Sequence, residues 1–120
     1  VVDFRDWLEI VDMFVGSAKL VEKAGWDGVQ IHSAHGYLLA EFLSPLVRSS
    51  SYSKEPSPDV KTNPMARPLP GVPAQIPNRL HLLYLILSRL QDETDKKFIK
   101  AVKINSSDFV QGGTNTSLIS

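Results

Sequence analysis

Ala24-Gly25-Trp26-Asp27-Gly28-Val29-Gln30-Ile31-His32-Ser33-Ala34-His35-Gly36-Tyr37-Leu38-Leu39 is the stretch on which the reading of this chain turns. It opens as the end of a helix, passes a tight turn at Gly25, and runs into a short buried strand. Polar side chains then follow where the strand ends. Two imidazoles and a phenol fall within six residues there, His32 to Tyr37. In α/β architectures the carboxyl edge of the strands is where ligands bind.

The flanking sequence supplies elements of both kinds. Upstream, Asp6 to Lys23 reads as a helix whose stripe is Ile10, Phe14, Ala18 and Val21, with Asp3 or Asp6 at its start as cap. The strand itself, Gly28 to His32, is expected to be buried on both faces, and Gln30 interrupts its apolar run. Gly36 opens a second helical segment, Tyr37 to Leu43. Ser44-Pro45 closes it, because a residue before proline avoids helical angles. A third helix spans Asn78 to Leu90, with Leu82, Leu83, Ile86, Leu87 and Leu90 at helical spacing. Phe98 to Ile104 forms a second strand, and Asn105-Ser106-Ser107-Asp108 makes its polar exit, with Asp108 read as a turn cap.

Between these units lies sequence of a different character. Seven of the eight prolines fall between Val47 and Pro77, among clustered serines and with little periodicity. Loops longer than about 12–15 residues are uncommon inside compact domains, so 47–77 is read as a disordered or inserted loop.

Composition narrows the classes. Formal net charge is zero, which removes the electrostatic basis for nucleic-acid binding or attachment to a membrane surface. Cysteine is absent, which rules out disulfides, thiolate catalysis and cysteine-held zinc. No apolar run reaches bilayer length. The first residues lack the apolar stretch of a signal peptide, which points to a cytoplasmic protein. The chain also starts without methionine, which suggests a fragment or a processed product.

Helix, strand, helix, long loop, helix and strand is the alternation of a parallel α/β sheet. Two parallel strands do not make a stable sheet by themselves. Either the chain self-associates or it is a slice of a larger sheet. A (β/α)8 barrel takes about 250 residues, so the expected fold is a partial (β/α)8 TIM barrel, its central βα units only, over residues 1–120.

Residues Ala24 to Pro45 closely resemble the old yellow enzyme family of FMN-dependent NADH:flavin oxidoreductases and ene-reductases, whose pattern there is AG(F/W/A)DGV(E/Q)(I/L)H(G/S)A(H/N)GYLLx(Q/E)FLSP. Asn78-Arg79-Leu80 resembles the family's start of the next helix. Ala101 to Phe109, followed by Gly112-Gly113, resembles the next barrel strand and its exit. The resemblance implies FMN as cofactor, NAD(P)H as reductant, and a small-molecule substrate such as an activated alkene. It implies that His32 and His35 bind the substrate's carbonyl or other electron-withdrawing oxygen. Tyr37 takes the place of the proton donor to carbon, and Lys103 that of a basic residue near the flavin's pyrimidine edge.

Physical chemistry supports those roles independently. Hydride arriving at an enone pushes negative charge onto its oxygen, and one well-aimed donor there is worth about 2.7–4 kcal/mol. A phenol is a reasonable acid for the adjacent carbon. Lys103, on a strand expected to be buried, calls for an anionic partner. Other readings stand beside these. His32 and His35 could be ordinary surface histidines, or half of a metal site, although no third ligand sits at a suitable spacing. Tyr37 could simply pack. Trp7, Trp26 and Phe42 read as core residues, and His81 as a surface or seam residue. The whole chain could be an inactive truncated fragment. It could also be a small interaction module docking through an exposed leucine stripe at 82–90.

The chain departs from the family pattern after Ser44-Pro45, where an Asn-x-Arg-x-Asp-x-Tyr-Gly-Gly-Ser segment is missing. Strands that contact the flavin ring and those that hold its phosphate are absent too, so the isolated chain is expected neither to hold FMN tightly nor to turn over. Removing Val47 to Lys61 joins Leu46 to Thr62-Asn63-Pro64 and brings the text closer to the family's Ser-Pro-x-x-Asn. Those residues are therefore read as inserted sequence, a translated intron or a mis-spliced exon. Transcript sequencing tests this: mature messages should skip the codons for 47–61, and abundant messages that keep them contradict it.

Overall fold

The computed structural model describes residues 4–44, 71–109, 111 and 113. Its elements are α1 (Phe4–Lys23), β1 (Gly28–Ser33), α2 (Leu38–Leu43), a 3-10 turn (Asn78–Leu80), α3 (His81–Glu93) and β2 (Ile99–Ile104). Most of the proline-rich stretch, including the expected insertion at 47–61, lies outside the described residues, as does Asp3. Asp6 sits inside the first turn of α1, where its charge complements the helix dipole.

β1 and β2 pair in parallel, Gly28 opposite Ile99 through Ser33 opposite Ile104. The ladder begins where the Ile99 amide donates to the Asp27 carbonyl at 2.8 Å. Gly28 is dictated by contact. A Cβ there would lie inside the van der Waals envelope of the Ile99 carbonyl oxygen and Cβ, so no larger residue fits this register. Gly25 is dictated by conformation: its φ of +88° lets α1 end. The turn closes with Gly25 N–H donating to Glu22 O at 2.9 Å and Trp26 N–H to Val21 O at 3.3 Å, the Schellman pattern.

One face of the sheet carries the core. Side chains alternate along β1, so Ile31 and Ser33 are buried while Gln30 and His32 are exposed. Trp7, Val11, Val15 and Ala18 of α1 meet Leu82, Ile86 and Leu90 of α3 over Ile31 and Phe98. Phe42 of α2 packs edge-on against Trp7, ring centroids 4.5 Å apart. The opposite face of the sheet is bare among the described residues, so the strand expected to be buried on both faces is buried on one. Gln30 interrupts the apolar run because it belongs to that bare face.

Packing corrects several further expectations. Ile10, Phe14 and Val21 flank the deepest row of α1, which is Trp7, Val11, Val15 and Ala18. A helix lying in the groove between a sheet and another helix buries a wide arc, and both rows fall within it. The leucine stripe of α3 is no docking face, because Leu82, Ile86 and Leu90 are wholly buried. Trp26 is 70% exposed rather than core, because the turn after Gly25 carries it away from the helices. His81 is buried, its Nε2 2.8 Å from the Ile76 carbonyl oxygen. The 3-10 turn before α3 brings that carbonyl within reach. Gly36 does not open α2, which starts at Leu38 with Tyr37 as its cap.

Charges clip the outer sides of α1 and α3 together. Arg89 bridges Asp12 and Glu93, and Lys19 reaches Glu93 at 3.1 Å. Exposed pairs of this kind add little stability at neutral pH. The hydrogen bond from Arg89, followed by that from Lys19, holds the Glu93 carboxyl below its ordinary value. A carboxyl depressed in the folded state contributes above its unfolded value, about 4.3, and that contribution fades as pH falls below it.

Urea denaturation should therefore separate core from clip. Ile86→Ala should cost about 2–5 kcal/mol. Glu93→Gln should change little at pH 7 and flatten the loss of stability between pH 5 and pH 3. Equal effects of the two substitutions at pH 7 would contradict this division.

Candidate functional site

The site grows from the carboxyl edge of the sheet. β1 ends at Ser33, whose side chain is buried on the helix side. His32, one residue earlier, points to the bare face. Ala34 turns inward, and the chain then reverses through two successive left-handed residues, His35 at φ +62° and Gly36 at φ +76°. Glycine adopts this conformation freely, whereas histidine adopts it less often, although more readily than most side chains. Tyr37 resumes an extended conformation and caps α2.

This reversal folds the loop back over the strand. The His35 ring packs against the His32 ring at 5.2 Å between centroids, and the Tyr37 ring tilts over His32 at 5.5 Å. Three of the four candidate side chains thus form one cluster. All three are exposed, Tyr37 at 65%, so their ring N–H and O–H groups are accessible to a ligand.

Lys103 joins the site through the sheet. It is the register partner of His32. Partners across a parallel pair project to the same face on strands about 4.8 Å apart. The expectation of a buried lysine is corrected, because Lys103 is exposed on the bare face. Among the described residues it has no ion-pair partner.

One participant was not anticipated. Asn105, just past β2, accepts the His35 backbone N–H on Oδ1 at 3.1 Å. Its Nδ2 donates to Asp108 Oδ1 at 2.9 Å, and Ser44 Oγ donates to Asp108 Oδ2 at 3.4 Å. The polar exit read as a turn cap thus ties both strand exits to the end of α2. The signal available in the sequence was an amide side chain at the end of the strand beside β1.

The donor set has the chemistry to hold an electron-rich planar edge. Two imidazoles and a phenol offer ring N–H and O–H donors, and the lysine amine lies on the strand beside them. These residues fit the polar edge of a flavin or the oxygen of a carbonyl substrate. They do not form a phosphate cradle. No group of three or more histidine, aspartate or glutamate side chains is arranged for a metal ion among the described residues.

Comparison with known proteins agrees with this chemistry. Residues 1–52 match the NADH:flavin oxidoreductase / NADH oxidase family. A protein of Aspergillus parasiticus named NADH-dependent flavin oxidoreductase nadA is 30% identical over 106 residues, 87% of this chain and 19% of the relative. An NADPH dehydrogenase of Halalkalibacterium halodurans is 32% identical over 111 residues, 91% of this chain and 26% of the relative. An NADPH dehydrogenase of Clostridium acetobutylicum is 58% identical over 38 residues, 32% of this chain and 11% of the relative. The chain spans about a quarter or less of the length of these relatives.

The left-handed backbone at position 35 makes a direct prediction. Asparagine tolerates that conformation and a β-branched residue does not. His35→Asn should keep the melting temperature within experimental error, whereas His35→Val should lower stability by about 1–3 kcal/mol. Equal stability of the two variants would contradict the loop geometry.

Proposed function

We propose, from the match of residues 1–52 to the NADH:flavin oxidoreductase / NADH oxidase family, that this chain is the central part of an FMN-dependent oxidoreductase acting on activated alkenes or similar acceptors. Residues 1–120 would supply the central βα units of a (β/α)8 barrel, with 47–77 as a loop set into it. The bare face of the β1–β2 sheet would then line the barrel interior. The observation that carries this reading is the cluster of His32, His35 and Tyr37 on that face, in register with Lys103.

When bound, FMN would carry hydride from NAD(P)H to the acceptor. The chain's own residues have separate tasks. His32 and His35 hold the acceptor's oxygen with ring N–H donors, where negative charge builds as the carbon–carbon double bond is reduced. Each such donor is worth about 2.7–4 kcal/mol in the transition state. Tyr37, tilted over His32, delivers a proton to the carbon next to the polarised one. Lys103 would hold a positive charge near the flavin's pyrimidine edge and so favour electron density there. The substrate is a small molecule. No described helix is long and apolar enough to cross a membrane. The reading keeps the expected cytoplasmic setting, where the nicotinamide reductant is supplied.

The experiment is expression of the full-length protein and assay of NAD(P)H-dependent enone reduction, with FMN followed by absorbance. His32→Ala and His35→Ala should each lower kcat/KM on the order of a hundredfold. Tyr37→Phe should slow enone reduction with little effect on flavin content. The 120-residue chain alone should retain no stoichiometric FMN, because its site lies on an open sheet face. A full-length protein that binds no FMN, or whose His32→Ala variant matches wild type, overturns the proposal.

A further inference from the structure

We propose that Asn105 is a positioning residue for the His32–His35 donor pair, acting through the backbone of His35. This rests on the reading of the two histidines as donors. His35 holds a left-handed conformation that is uncommon for a residue with a side chain. Among the described residues, the His35 N–H is held by Asn105 Oδ1 at 3.1 Å, across 70 residues of sequence. The orientation of the Asn105 amide is set in turn. Its Nδ2 faces Asp108 Oδ1 at 2.9 Å, which fixes Oδ1 toward His35. Ser44 Oγ donates to the other Asp108 oxygen at 3.4 Å, so the end of α2 secures the carboxylate.

Asparagine suits this place because it offers an acceptor on one side and a donor on the other. Aspartate would accept from His35 but would set a carboxylate against Asp108. Exchanging the two residues restores the pattern. In the Asn105→Asp/Asp108→Asn protein, residue 105 still accepts from His35, and the residue 108 amide donates back to it. Its remaining oxygen still accepts from Ser44. Loss of the clamp frees His35 to leave the left-handed region, and its ring then leaves the position 5.2 Å from His32. Displacement of a catalytic group by about 1 Å can cost on the order of a hundredfold in rate.

The test uses the full-length protein with FMN, as wild type, Asn105→Asp, Asn105→Ala and the exchange variant. Two quantities are read: steady-state enone reduction, and hydrogen exchange of the His35 amide by NMR in the flavin-free protein. The single variants should keep wild-type FMN content and lose about tenfold to a hundredfold in kcat, with a smaller change in enone KM. Their His35 amide should lose protection. The exchange variant should recover both rate and protection. Single variants with wild-type kcat, or a folded exchange variant that recovers neither quantity, overturn the proposal. If the single variants fail to fold, the exchange variant decides. An unprotected His35 amide in wild type overturns the proposal whatever the activity. Wild type without flavin or turnover counts against the donor reading instead, and the amide measurement still decides the clamp.

Discussion

The register of two short parallel strands is the constraint on which the molecule depends. Gly28 faces Ile99 because nothing larger fits beside that carbonyl. Once that pair is set, alternation assigns every later side chain to a face. Ile31 and Val102 turn toward the helices, while His32 and Lys103 turn to the open face. A slip of one residue in β1 relative to its core contacts would bury His32 and expose Ile31. The core formed by α1 and α3 opposes that slip, because Ile31 closes the contact with Leu82 and Ile86. Hydrophobic packing on one side of the sheet thus determines what is displayed on the other.

Beyond the register, the site depends on how the chain leaves each strand. β1 exits through two left-handed residues that turn the loop back over His32. β2 exits through Asn105, whose amide meets the backbone of that loop. The family match covers residues 1–52 and so contains His32, His35 and Tyr37. Lys103 and Asn105 lie beyond it in sequence and reach the cluster through strand pairing. The candidate site is therefore a product of the fold rather than of one contiguous motif.

Much of the architecture could be read directly from the residues. Helical spacing marks α1 and α3, and short apolar stretches followed by polar exits mark both strands. The parallel α/β order follows from their alternation. What escaped the reading depended on contacts between elements. The deepest row of α1 is Trp7, Val11, Val15 and Ala18, because α3 and the sheet press on it together. His81 is buried because a carbonyl five residues away meets its ring, which spacing does not reveal. Trp26 is exposed because its turn points away from the helices. At the site, His32, His35 and Tyr37 were visible as a local polar cluster. The exposure of Lys103 and the clamp by Asn105 were not, since both arise from pairing across about 70 residues of chain.

Engineered cross-linking tests the register most directly, and the absence of cysteine makes the background clean. Gln30 and Ala101 are register partners on the open face. The strand spacing of about 4.8 Å places their Cα atoms within the roughly 4.4–6.8 Å span a disulfide requires. Under mild oxidation the Gln30→Cys/Ala101→Cys protein should form an intramolecular disulfide, and the Gln30→Cys/Val102→Cys protein should not. Efficient linkage of the second pair and failure of the first would mean that residues 32 and 103 do not share a face, which would contradict the account.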